Sequence, residues 1–540
     1  MSLLKTLVLN GASRHRLRKG FFLRNTTGPE KAWNRTHLIL EAGSRSLRAH
    51  QELQHFRLEG SEKHPGVVTL LTPWMPVYTF EHREEFCRRV AKAARLLSEA
   101  AKPNHRILGI GLEPFAAPDE GKEPELCADI HQIEVIDEGE IERIYNLFRQ
   151  YLPELIAITV NSTLQKGKIQ RDFSQRMRFN ASSFLPRYLS QFSTSRLDQL
   201  RRMMRKDHGL GDVRQMDVNP LGDRIDLLDV ENRDMLGDFA PALELRFSDA
   251  QCSIPFMRAL IILFQAIAIQ GRSMARQGRR VYPLRDPALD GNKARAIQRG
   301  MTAVFQPDPK YSPDSKDGQL KLWYHNRQVS ERASSALLSL LEYPLLSSLH
   351  NLDCRWPELA PLVLGLELRR RSRQSLANYA EYQQFLAYTE PRNLTGALLE
   401  HWEMLLANPS RDLVVEKNSA THPALAAEIE AEWLKKLTPP PRRKSNVTRV
   451  ERREGRIIVF RPDRNFGFIM ADQDQGKYFF HRSHLAPGTR VSGKERVSFE
   501  PLQQSDGRWV ATNVQVLDEP ASHPDGALHD SQVGGGTTRR

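Results

Sequence analysis

Between Gly455 and Leu517 five short runs follow one another closely: Arg456 to Phe460, Asn465-Phe466-Gly467-Phe468-Ile469, Lys477-Tyr478-Phe479-Phe480-His481, Val497-Ser498-Phe499-Glu500 and Ala511-Thr512-Asn513-Val514-Gln515-Val516. Each is the length of a strand, and none can bury a face by itself, so the stretch must fold as a small all-β module. Period-two alternation puts Phe466 and Phe468 on one face. It also joins Phe479 to His481, on the side opposite Phe480. So small a module cannot bury two complete aromatic faces, so one aromatic face is left outside. Rings exposed on neighbouring strands, with Arg464 and Lys477 at the margin, make a stacking platform for unpaired bases, worth about 1–3 kcal/mol per base.

Over its full length this module resembles a cold-shock domain, an OB-type barrel. The resemblance implies that Phe466, Phe468, Phe479 and His481, with Arg464 and Lys477, bind single-stranded RNA or DNA. Two positions depart from that family. Its usual first-strand tryptophan is Val459 here, and the often aromatic position after His481 is Arg482. Both changes predict binding that is weaker per base and more electrostatic.

The 540 residues allow more than one domain and a large core. The stretch around which the larger part is organised runs from Leu126 to Arg178. Asp129 to Val135 reads as a strand with Asp129, His131, Ile133 and Val135 on one side and Ile130, Gln132 and Glu134 on the other. Ile141, Ile144, Tyr145, Phe148 and Leu152 then recur at helical spacing. Pro153 is expected to end that helix and to start another through Leu155 and Ile158. A basic-polar segment with Arg171, Arg176 and Arg178 follows. Upstream, Thr36–Glu41, Phe56–Glu59 and Val67–Leu71 read as strands, and Phe86, Val90, Ala93, Ala94 and Leu97 as an amphipathic helix. A basic helix is expected around Leu197 to Lys206 and a loop at Asn219–Asp223. From Ile254 to about Asn408 the pattern is almost wholly helical. Strands early and helices late predict an α+β fold with a helical second half.

Four stretches in order resemble the type 2 glutamate–cysteine ligases and their carboxylate–amine ligase relatives. They are Ile107-Leu108-Gly109-Ile110-Gly111-Leu112-Glu113-Pro114-Phe115-Ala116, Leu152-Pro153-Glu154-Leu155-Ile156-Ala157-Ile158-Thr159-Val160-Asn161-Ser162, Ala242-Leu243-Glu244-Leu245-Arg246-Phe247-Ser248-Asp249, and Asp290-Gly291-Asn292-Lys293-Ala294-Arg295-Ala296-Ile297-Gln298-Arg299-Gly300. The resemblance covers roughly residues 35–400. It implies an antiparallel-sheet, glutamine-synthetase-like ligase domain that uses ATP and Mg²⁺ to join an amino-acid or peptide carboxylate to an amine through an acyl phosphate. It places His131, Glu244 and Asp129 at metal positions, Arg246 and Arg176 at substrate or phosphate positions, and Asn292 and Arg295 at nucleotide-framing positions. Each has a plainer reading: a hydrogen-bonded structural histidine, a surface ion pair between Glu244 and Arg246, a solvated Arg176. The glutamate cluster that opens the family's first strand is missing. Gly28-Pro29-Glu30-Lys31 imitates it poorly, and Glu41 and Glu59 are single acids. A nucleic-acid-binding protein with an inert ligase-like body is therefore the alternative to an active ligase.

The expected domains are a basic segment at 1–34, the ligase-like body at 35–408, a helix and a Pro/basic linker at 409–448, the cold-shock module at 449–518 and a disordered tail at 519–540. The net charge of +13 is a mild pointer to polyanions. Arg369-Arg370-Arg371-Ser372-Arg373 is either a solvated helix face or an extension of a nucleic-acid footprint. Scattered cysteines, Cys87, Cys127, Cys252 and Cys354, argue against a zinc site or a disulfide framework and fit a cytoplasmic chain. Ile254 to Ile269 is interrupted by Arg258 and Gln265 and reads as a core helix, with no membrane partner expected.

Overall fold

The computed structural model describes residues 13–25, 33–61, 66–112, 126–134, 138–179, 225–228, 242–279, 281, 286–307, 330–372, 374–439, 452–461, 466–481, 485, 491, 493–503 and 509–517. Gly28–Lys31, the helix expected at Leu197–Lys206, the loop at Asn219–Asp223, Arg373, the linker residues 440–448, Arg464, Arg482 and the tail at 519–540 lie outside the described residues. The chain divides into two compact units, Met1–Pro439 and Pro440–Arg540.

The larger unit is built on seven strands: β1 His15–Asn25, β2 Arg57–Gly60, β3 Val67–Leu71, β4 His105–Leu108, β5 Asp129–Glu134, β6 Ile225–Leu228 and β7 Ala242–Leu245. Their order is β2-β3-β1-β5-β7-β6, with β4 paired to the far end of β1, and every pair is antiparallel. The strand at the centre, β1, comes from the segment that sequence reading left outside the fold. In His15-Arg16-Leu17-Arg18-Lys19-Gly20-Phe21 the residues at Leu17 and Phe21 are buried, and the arginines alternate to the other face. The high basic content hides that period of two.

Helix α1 spans Trp33–Arg48 where a strand was expected at Thr36–Glu41. Thr36, Ile39, Gly43 and Leu47 are buried, a spacing that suits only a helix. Helix α2, Phe80–Ala101, starts at Thr79, whose side chain accepts from the His82 amide. Its Phe86, Val90, Ala94 and Leu97 pack with Leu17, Phe21, Val68 and Leu70 from one face of the sheet. Helix α3 runs unbroken over Glu138–Thr159 with Pro153 inside it. Burial of Phe148, Leu152, Leu155 and Ile156 around that position outweighs the missing amide. The short α4 is Gln175–Phe179 and α5 is Ile254–Arg276. By length and composition α5 could cross a membrane, but 83% of its apolar window is buried inside the protein, as a core helix requires.

The second half is helical: α6 Asp286–Arg299, α7 Ala333–Glu342, α8 Leu346–Asn351, α9 Trp356–Ser372, α10 Tyr379–Thr389, α11 Leu394–Ala407, α12 Leu413–Thr421 and α13 Pro423–Leu437. Trp433 of α13 is fully buried, and its indole N–H donates to Glu367 of α9 at 2.8 Å. Arg369 is buried, whereas Arg370 and Arg371 are exposed, as a solvated helix face would have them. Arg369 is bound by Glu381, and Arg370 and Arg371 interleave with Glu342, Glu367 and Glu432.

The smaller unit is a closed barrel of β8 Arg453–Arg461, β9 Phe466–Ala471, β10 Lys477–His481, β11 Arg496–Gln503 and β12 Trp509–Val516, in the order β8-β9-β10-β12-β11. Ile457, Ile469, Tyr478, Phe480, Val497, Phe499 and Val514 fill it. Gly467 explains the aromatic-small alternation of β9, since a Cβ there would lie 2.5 Å from the Phe480 ring. All four cysteines are free.

Candidate functional site

Two faces of the large sheet are chemically distinct. The first carries His15, Leu17 and Lys19 of β1 opposite Ile133, His131 and Asp129 of β5. His131 is in turn opposite Leu245 of β7. This face is covered by helices: His15 meets Phe86 edge-on, and His131 meets Phe264 of α5 at 4.8 Å. One hydrogen bond joins His15 Nε2 and His131 Nδ1 at 3.0 Å, so one ring donates and the other accepts. Burial lowers both pKa values, that of His15 to about 3, so the pair is neutral. Beside it the Asp129 carboxylate accepts from Lys19 Nζ at 2.9 Å and from the backbone amides of Gly20 and Gln251. Two of the expected metal ligands are therefore wired into the helix-covered core.

The other face holds the polar row. Arg16 of β1 stands opposite Gln132 of β5, Gln132 opposite Glu244 of β7, and Glu244 opposite Asp226 of β6. The Gln132 amide donates to Glu244, and Glu244 also pairs with Arg246 just beyond the strand. Towards β2, Arg18 pairs with Glu59 at 3.0 Å. At the other end Arg14 takes both oxygens of Glu134. Sequence reading found Glu244 and Arg246 here. It missed Arg16, Arg18 and Gln132, whose signal was the alternation in His15-Arg16-Leu17-Arg18.

Arg176 is not on this face. Its guanidinium is fully buried, with Nε on Asp249 at 2.5 Å and Nη2 on the Phe247 carbonyl at 2.8 Å. The same carboxylate accepts from the Asn161 amide and from the Ser162 and Ser174 hydroxyls. Asn292 is likewise spent on structure. Its side chain exchanges two hydrogen bonds with the Gln306 backbone, at 2.9 and 2.8 Å, and its oxygen also accepts from Arg295.

Mg²⁺ is held by converging oxygens, chiefly carboxylates. On the polar face Glu59, Glu134 and Glu244 each carry an arginine partner, and arginines stand on the central strand between them. Among the described residues, the one trio of acids whose oxygens converge is Glu342, Glu367 and Glu432, far along the chain on α7, α9 and α13, where Lys436 already bonds two of them. Among the described residues, these acids do not fit the metal that a carboxylate–amine ligase uses.

On the barrel, register places three rows side by side. Arg461, Phe466 and His481 form one, Val459, Phe468 and Phe479 the next, and Arg456, Met470 and Lys477 the third. The three phenylalanine rings lie 5.7–6.1 Å apart between centroids and are half-buried. Val459 is 40% exposed, and Arg456, Arg461 and Lys477 are exposed. The aromatic patch thus has cations at both ends. Sequence reading found the rings and Lys477 and missed Arg456 and Arg461, which only the strand pairing brings to them.

No protein-family model matches the chain, and no curated protein matches it. Among solved structures it is similar to a bifunctional glutathione synthetase from Pasteurella multocida, with 10% identity, 89% of this chain and 61% of that one covered, and a TM-score of 0.44. It is similar to the ligase PafA in complex with the prokaryotic ubiquitin-like protein Pup, with 9% identity, 76% and 80% covered, and a TM-score of 0.42. A third likeness, at 26% identity, is to the drosophila Unr CSD456 segment, covering 14% of this chain and 29% of that one with a TM-score of 0.12.

Proposed function

We propose that this protein binds single-stranded RNA or DNA through the three-row face of its barrel, and that its larger unit is a ligase-like body that does not run Mg²⁺-dependent carboxylate–amine chemistry. One observation carries the reading: Phe466, Phe468 and Phe479 form a half-buried aromatic patch on adjacent strands, with arginine and lysine at its ends. Rings so placed accept bases by stacking, and the flanking cations take phosphates. Neutralisation of Glu59, Glu134 and Glu244 by arginines supports the second half. Fluorescence anisotropy with a pyrimidine-rich single strand tests the first half. The double change Phe466→Ala, Phe468→Ala should weaken binding at least tenfold, at about 1–3 kcal/mol per stacked base. Unchanged affinity would remove the stacking account. Mg²⁺-dependent ATP consumption that is abolished in Glu244→Ala would restore the ligase reading.

A further inference from the structure

A cleft of about 340 Å³ opens in the larger unit between α4 and α6. Among the described residues it is lined by Arg171, Asp172, Arg178, Ala294, Ile297 and Gln298. The segment that carries the two arginines is held rigidly. The Arg176–Asp249 pair anchors it inward, and the amides of Phe173 and Ser174 both donate to the Ile297 carbonyl, at 3.0 and 3.1 Å. Gly300, at φ +50°, closes the end of α6 so tightly that a Cβ would lie 2.8 Å from the Phe173 ring. The two described walls are thus tied to each other by backbone hydrogen bonds and to the core by a buried ion pair.

Its lining is divided by chemistry. Arg171 and Arg178 are exposed, and Asp172 aims Arg178 through a 2.9 Å hydrogen bond. Ala294 and Ile297 lie one helical turn apart on α6 and supply an aliphatic floor, with the Gln298 amide beside them. Guanidinium groups match phosphate oxygens in geometry as well as charge. The volume falls within the roughly 300–1,000 Å³ of small-molecule clefts. We infer that this cleft binds a phosphomonoester whose body has both an apolar face and polar edges, as a nucleoside monophosphate has. That chemistry has two sources, free nucleotides and the 5′-phosphorylated ends of nucleic-acid strands.

The test is calorimetry on the full-length protein with AMP in EDTA. AMP should bind at least tenfold more tightly than either adenosine or inorganic phosphate, since each lacks half of the contacts. Arg171→Glu reverses a charge at the rim, and Ala294→Trp fills the floor without altering charge. Each should weaken AMP at least tenfold, whereas Arg88→Glu, an exposed arginine elsewhere, should not. The Phe466→Ala, Phe468→Ala variant should bind AMP normally, which separates this site from the barrel. A 5′-phosphorylated dinucleotide bound as well as AMP assigns the site to strand ends, and one excluded assigns it to free nucleotides. The inference is overturned if AMP binds no better than inorganic phosphate, or if both Arg171→Glu and Ala294→Trp leave its affinity intact.

Discussion

His131 and Glu244 occupy opposite faces of one sheet, although only a single step of register separates them. His131 stands across from Leu245, and Glu244 across from Gln132. Side chains alternate along a strand, so that one step sends the imidazole into the helix-covered core and the carboxylate to the polar row. No ion can bridge the two. Strand geometry therefore separates Glu244 from His131 and Asp129, which the resemblance implies share one metal site.

The buried histidines make stability depend on pH. Above about pH 6.5 both folded and unfolded chains hold neutral imidazoles, and there is no effect. Below it the unfolded chain takes up protons that His15, with its pKa lowered to about 3, refuses in the folded state. Stability should fall as pH drops from about 6.5 towards 3, by about 1.4 kcal/mol per unit for His15, with His131 acting in the same direction. Urea unfolding of the larger unit at about pH 7, 6 and 5 measures this, and His15→Leu should flatten the slope by roughly half.

The polar row predicts an outcome for Mg²⁺. With Glu244 fully buried against Arg246, Glu244→Gln leaves a guanidinium short of its counter-charge and should cost about 3 kcal/mol. Mg²⁺ in excess over EDTA should not raise the urea midpoint of the wild type, because a ligand that does not bind the folded state cannot stabilise it. A rise seen in the wild type and lost in Glu244→Gln would place a cation on this face.

How much could be read beforehand divides along local and long-range lines. The barrel's five strands and its ring face follow from local alternation, and α2, α5 and α13 from helical periodicity. β1 was hidden because Arg16, Arg18 and Lys19 make a central strand look like a solvated arm. Arg176 and Asn292 are site residues only by the ligase resemblance, and nothing in their local sequence shows what they bond. Their partners, Asp249 and the Gln306 backbone, lie 73 and 14 residues away, and only the folded chain brings them together.

Arg176 should accordingly behave as a structural lock. Arg176→Met removes one half of a fully buried ion pair and strands the Asp249 carboxylate, at a cost of about 3–5 kcal/mol. Asp249→Asn in the same chain should recover part of that loss, because the orphaned charge is gone. A double-mutant cycle by urea unfolding reads the coupling. Independent, additive losses would show that the two groups do not stabilise each other.

The departure at Val459 offers a gain-of-function test of the barrel face. Val459 is 40% exposed and lies directly across from Phe468, whose ring already contacts Phe479. An indole at that position would extend the row by one ring on the same plane of strands, and base stacking on it should contribute about 1–3 kcal/mol. Val459→Trp should therefore tighten single-strand binding by at least fivefold. On the proposed reading the salt dependence should stay as it was, because the change leaves the flanking cations Arg456, Arg461 and Lys477 untouched. Lys477→Gln should do the reverse, reducing the slope of log affinity against log salt by about 0.7 while leaving the stacking contribution in place. Anisotropy titrations of the two variants at several salt concentrations separate the aromatic from the ionic part. If Val459→Trp alters the slope and not the affinity, the central row of the barrel does not contact bases.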